Sequence, residues 1–146
     1  MISGTYWAKA LVARAFSPLR QAPQTSVPSS LAQAQRAAAL SLDLKANNVV
    51  LMDLENVSNA TDFFLIASGS SDTHVRAIAE HVVEQLKKEG VRAHHVEGLA
   101  QGRWVLLDYV DFVVHVFHPT LREFYQLERL WGDARIVAID AEEAKV

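Results

Sequence analysis

Two short runs constrain this chain more than any other feature: WVLLDY from Trp104 to Tyr109, and FVVHVF from Phe112 to Phe117. Strand side chains alternate between faces. In the first run Trp104, Leu106 and Asp108 take one side, and Val105, Leu107 and Tyr109 the other. In the second, Phe112, Val114 and Val116 oppose Val113, His115 and Phe117. Both sides are largely apolar, which suits central strands covered on both faces better than a hairpin half in water. Asp108 and His115 are the polar exceptions.

A helix is predicted to follow. Thr120, Leu121, Arg122 and Glu123 match a capping box, with Thr120 accepting from the third helical amide and Glu123 reaching back. Pro119 helps to end the strand. Leu121, Phe124, Leu127, Leu130 and Trp131 recur at helical spacing, so they form the buried stripe, and Arg122, Gln126 and Arg129 are expected to face outward.

Upstream, residues 1–28 mix Ala, Ser, Gln and three prolines without a sustained period, and are expected to be a mobile leader. Their lack of acids and their Arg content also fit an organellar transit peptide. From Ser30 the Ala-rich run reads as a helix capped by Ser29 or Ser30, with Leu31, Ala34, Ala38 and Leu42 toward the core. Asn47 and Asn48 break it. Residues 49–54 read as a first strand and 62–68 as a second, almost wholly apolar and central. The turn from Ser68 to Asp72 leads into a helix over 72–89, with Val75, Ile78, Ala79, Val82, Val83 and Leu86 as one stripe and Gly90 as its terminator. Residues 91–98 read as a more polar strand, and 134–140 as a short edge segment. The expected domain is 29–140, with 141–146 a tail. The fold class is α/β (α+β): a mixed, about five-stranded sheet flanked by helices, since both hairpin-length and helical connections occur.

Length and composition restrict function further. A chain of 146 residues holds one domain with a real core. It has no cysteine, so disulfides, thiolate metal sites and cysteine nucleophiles are excluded together. No run of eighteen apolar residues is present, and no membrane partner is expected. Residues 1–42 contain Lys9, Arg14, Arg20 and Arg36 and no acid, so the net charge of −3 divides into +4 there and −7 in the remainder. An acidic domain gains little from neutralising phosphates, which disfavours direct sequence-specific nucleic-acid binding. A basic protein partner is favoured instead.

The motifs for chemistry are weak. Ser68, Gly69, Ser70 and Ser71 at a helix start could hold an anion, and nucleotidyltransferases place a Gly-Ser pair in such a turn before two or three metal-binding carboxylates. Here the acids after the turn are Asp72 and, far along, Asp108 and Asp111, so an enzyme would have to use Ser70 with Asp108, and a Ser-rich helix cap is the simpler account. None of the six histidines falls in a metal-binding spacing, and His115 among Val and Phe reads as a core histidine. There is no nucleophile elbow. No catalytic residue, metal site or cofactor is expected. The aromatic residues give a better signal. Trp104 and Tyr109 flank Asp108 near strand ends, where exposed rings rimmed by polar groups commonly anchor protein interfaces. Such a patch is seldom left bare, so a homodimer of the free protein remains open.

The segments TDFFLIASGSSDTHVRAIAEHVVE, HHVEG and WVLLDYVDFVVHVFHPTLREFYQLERLW, followed by Asp133 and Ala134, closely resemble the ribosomal silencing factor (Iojap-like) family from about Leu31 to Ala138. The resemblance implies a nucleotidyltransferase-like sheet without the catalytic carboxylates. It also implies a non-enzymatic function: binding the large ribosomal subunit at its fourteenth protein, uL14, and blocking small-subunit joining, so that translation is repressed. A large-subunit assembly role for the same surface, or less readily a small nucleotidyltransferase, are the alternatives. The family's partner-binding surface falls on Trp104, Asp108 and Tyr109, with Asp111 and Phe117 nearby; Trp104 would be the hydrophobic anchor. Its setting is the bacterial cytoplasm, or a mitochondrion or plastid if the leader is a transit peptide. One departure stands out. The family usually has glycine where this chain has Val110, and a turn with positive φ costs a β-branched residue dearly.

Overall fold

The order of the strands follows from their hydrophobicity. The computed structural model describes residues 29–56, 59, 61–125, 134–137 and 139, with the backbone alone at 123–125. Within it, Ser30–Asp43 (α1), Asn47–Asp53 (β1), Phe63–Ser68 (β2), Asp72–Lys88 (α2), His95–Glu97 (β3), Trp104–Asp108 (β4), Phe112–Phe117 (β5), Pro119–Tyr125 (α3) and Arg135–Val137 (β6) follow one another. They build a six-stranded sheet in the order β3-β4-β5-β2-β1-β6. β2 and β5, whose residues are all buried, sit in the middle. The short, more exposed β3 and β6 take the edges. β2 and β5 pair in parallel and every other pair is antiparallel. A parallel pair needs a long crossover, which α2, β3 and β4 supply.

Each face of the sheet has its own core. On one side Leu65, Ala67, Val105, Leu107, Tyr109, Phe112, Val114 and Val116 meet α1 and α2. α1 contributes Ala34, Ala37 and Ala38 at 0% exposure, and side chains this small let the helix lie close to both the strands and α2. On the other side Met52, Leu54, Phe64, Ile66, Leu106, Val113 and Phe117 join Leu121 of α3.

Both long helices end in the same motif. At α2, Gly90 has φ 87, its amide bonding Lys87 O and that of Val91 bonding Leu86 O. At α1, Lys45 has φ 61, its amide bonding Leu42 O and that of Ala46 bonding Ser41 O. These are Schellman caps, one with glycine and one with lysine in the left-handed position. The start signals agree with the sequence: Ser29 and Ser71 accept from the amides of Ala32 and His74.

The edge segment expected over 134–140 is a strand over Arg135–Val137 that pairs with β1 and brings the mixed sheet to six strands. Three local expectations need correction. The strand expected over 91–98 is only three residues long. Val91 is drawn back to the end of α2, and Gly98 turns away at φ 81. Thr120 does not cap α3. The helix starts two residues earlier than that cap implies, with Pro119 in its first turn, where a missing amide hydrogen costs nothing, and the amides of Leu121 and Arg122 bond His118 O. Finally, Arg122 is buried rather than outward, at 9% exposure, and donates to Ser68 Oγ at 3.0 Å and Asn48 O at 2.9 Å. These two acceptors lie at the end of β2 and the start of β1, where the guanidinium reaching from α3 satisfies both. The leader, the tail, Trp131, Leu127, Leu130, Gln126, Arg129 and the side chains of Glu123 and Phe124 lie outside the described residues.

Candidate partner-binding site

The residues singled out for partner binding all belong to the β4–β5 hairpin, and the pleat divides them. Trp104 and Asp108 project to the face lined by Phe64, Leu106 and Phe117; Tyr109 projects to the face under the helices. Trp104 and Tyr109 therefore cannot meet one partner side by side, and Tyr109 is not the exposed ring expected. It is 8% exposed, with its ring stacked on Phe112 at 4.7 Å and its hydroxyl without a partner among the described residues. Burial pushes its phenol up to about 12. Period two required this face, since Tyr109 follows Val105 and Leu107.

Trp104 is half-buried. Its ring lies 4.7 Å from Phe117, tilted by 35°. Its indole Nε1 donates to His115 Nδ1 at 3.0 Å. Because Nδ1 accepts, the neutral imidazole carries its proton on Nε2, and Nε2 has no partner among the described residues. His115 is fully buried, with Phe64 edge-on at 4.8 Å. Burial, then the nearby charge of Arg122, pulls its pKa from 6.5 down to about 3. Phe117 is 0% exposed beneath Trp104 and supports that ring.

The hairpin tip is tight. Val110 has φ 72, and the amide of Asp111 bonds Tyr109 O at 2.9 Å, the pattern of the rare γ-turn with positive φ. Val110 thus takes the conformation that glycine would adopt without strain. Asp108, 6% exposed, accepts from the Val110 amide at 2.8 Å and is committed to the turn. Asp111 is exposed at the tip, and its carbonyl receives the amides of Asp62 and Phe63. Of the acids expected to meet a basic partner, Asp111 is the one on the surface.

The arrangement does not fit metal-assisted nucleotidyl transfer through Ser70 and Asp108. Asp108 is level with Val113 and hence with Phe64, four residues before Ser68. At about 3.3 Å per residue the two lie more than ~13 Å apart along the sheet, too far to share one ion. Ser70 instead donates its amide to His74 Nδ1 at 2.8 Å. Among the described residues no three His, Asp or Glu side chains form a group that could hold a metal. Missed by sequence reasoning was Arg122, whose burial no helical period signals.

Comparison with known proteins agrees with the fold. Residues 27–146 match the family model described as "Ribosomal silencing factor during starvation". The ribosomal silencing factor of Bacillus subtilis is 43% identical over 104 residues, covering 71% of this chain and 88% of that protein. A mouse protein named for mitochondrial assembly of the ribosomal large subunit is 30% identical over 89 residues, covering 59% of this chain and 39% of its own length. A crystal structure from Chromobacterium violaceum superposes with a TM-score of 0.70 at 32% identity, covering 72% of this chain and 88% of that one. Another, from Bacillus halodurans, gives 0.67 at 38% identity, covering 75% and 100%. With a family model spanning the whole folded part and relatives of this similarity, the chain belongs to the ribosomal silencing factor family.

Proposed function

We propose that this protein binds the large ribosomal subunit through uL14, on the face that meets the small subunit, and represses translation by blocking subunit joining. The mechanism is steric and needs no catalysis. Family membership carries the reading. The hairpin is consistent with it: Trp104 offers a half-buried apolar anchor and Asp111 an exposed charge. The two are about 17–20 Å apart along β4, within the roughly 30 Å width of a patch burying about 800 Å² per partner. Charge of this sign steers association with a basic ribosomal protein and fixes its register more than it adds affinity. The bacterial relatives favour the bacterial cytoplasm as its setting.

The test uses the full chain with purified ribosomal subunits. Saturating protein should slow subunit joining followed by light scattering, and Trp104→Glu, shown folded by circular dichroism, should lose large-subunit binding. Unchanged joining rates at saturation would overturn the proposal. The mouse relative's name favours a second reading, assembly of the large subunit through the same surface. Precursor particles accumulating on depletion in unstressed cells would select it.

A further inference from the structure

We infer that His115 is the positioning residue for Trp104: a buried hydrogen-bond acceptor whose role is to hold the indole in one orientation for its partner. The inference rests on the proposed function for what Trp104 meets, and on the geometry alone for how it is held.

Three observations converge. First, β4 and β5 pair with Trp104 opposite Phe117 and Leu106 opposite His115, so His115 is the diagonal neighbour of Trp104. Aromatic side chains reach across that diagonal, and here Nε1 meets Nδ1 at 3.0 Å. With Phe117 against the ring at 4.7 Å, both the position and the rotation of the indole are determined.

Second, His115 is a poor choice for stability. Its neighbours on this face are Phe64, Ile66, Leu106, Val113 and Phe117, all apolar and buried. It is 0% exposed and its Nε2 proton has no partner among the described residues, a cost that an apolar side chain of similar size avoids. A buried polar group kept at such a cost points to what its satisfied atom does, and that atom receives the indole proton.

Third, Trp104 is the half-buried member of an otherwise covered aromatic group. Freezing such a ring before contact removes an entropy cost from association, and rigid aromatic anchors gain affinity in this way. Ordering one side chain is worth roughly a two- to tenfold change in affinity.

Nuclear magnetic resonance and binding kinetics on the full chain test this together. The Trp104 indole proton resonance, assigned by its disappearance in Trp104→Phe, should be protected from solvent exchange in wild type. It should lose that protection in His115→Leu and keep it in His115→Asn, whose Oδ1 replaces Nδ1 as acceptor. His115→Leu should weaken large-subunit binding roughly two- to tenfold, mostly through faster dissociation, and His115→Asn should restore it. If His115→Leu does not fold, Trp104→Phe carries the test, since it keeps a ring but removes the donor; it should weaken binding at least as much, because the smaller ring also gives up anchor contact. The double variant with His115→Asn should then be no weaker than Trp104→Phe alone. An indole proton equally protected in folded His115→Leu would overturn the inference, as would unchanged affinity in either single variant. Wild type that fails to bind subunits would sink the proposed function instead, and the exchange measurement would still decide whether His115 holds the ring.

Discussion

Replacing Val110 with glycine should stabilise this protein, although it removes a side chain. Val110 has φ 72 and closes a γ-turn through the 2.9 Å bond from Asp111 N to Tyr109 O. A β-branched residue held in this region costs about 2–3 kcal/mol, toward the upper end of the usual range for backbone outliers. Glycine relieves that strain but brings about 0.5–1 kcal/mol of extra chain entropy in the unfolded state. Val110 is 44% exposed and belongs to neither core cluster, so loss of its methyl groups subtracts only part of the remainder. The balance is a gain of about 1 kcal/mol, or about 4 °C in Tm for an ordered domain of this size. Thermal unfolding by circular dichroism reads it, and urea titrations should show a higher midpoint at unchanged slope. Val110→Ala should fall between the two, since alanine lacks the β-branch but keeps the left-handed penalty. A Tm for Val110→Gly at or below that of wild type would refute the claim that the tip is strained.

Other perturbations have equally definite expected outcomes. Gly98→Ala should cost roughly 2–4 kcal/mol in urea unfolding, because φ is 81 and a Cβ there would sit 2.1 Å from the carbonyl oxygen of Trp104, backbone that cannot swing aside. Arg122→Leu should cost about 2 kcal/mol by the same assay, since it abandons Ser68 Oγ and Asn48 O, and Arg122→Lys should recover little because one ammonium cannot reproduce the guanidinium fork. His115 ties stability to acid. Its folded pKa of about 3 lies below the unfolded 6.5, so the unfolded chain takes up a proton first and stability falls as pH drops from 6.5 toward 3. His115→Leu removes that linkage and should lose roughly 2 kcal/mol less than wild type between pH 6 and pH 4.

Much of this fold was legible from alternation and capping alone. The two-faced apolar runs gave β4, β5 and β2 as interior strands, because only burial on both sides makes continuous hydrophobicity favourable. Ser71 and Gly90 marked both ends of α2 within a residue or two. The failures share a physical cause: tertiary contacts overriding a local rule. Lys45, Asn48 and Val110 all adopt positive φ without the glycine that announces it. Arg122 looked solvated because its neighbours Leu121 and Phe124 completed an apolar stripe, yet two unsatisfied acceptors across the sheet draw it in. For the candidate site, alternation already placed Trp104 and Tyr109 on opposite faces. What it could not tell is that the Tyr109 face is the one closed by α1 and α2, which is a property of the crossover and not of the hairpin.

The charges of the sheet are sorted by end, and this gives the proposed docking a direction. Asp53 closes β1, Asp62 precedes β2, Asp108 closes β4 and Asp111 precedes β5, and the register Asp53–Phe63–Phe112 brings all four to one end. Arg135, bonded to Asp53 at 2.7 Å, offsets part of that charge. The opposite end holds Arg103, His118 and Arg122, and Asp72, at the start of α2 there, lies 3.9 Å from Arg76. A basic partner of the kind proposed would therefore be drawn to the hairpin tip rather than to the Ser70 turn. Such steering acts on association rate and is screened by salt, whereas the hold of His115 on Trp104 acts after contact and is not. The two halves of the hairpin would thus divide the work of recognition, the acidic tip finding the partner and the aromatic end keeping it.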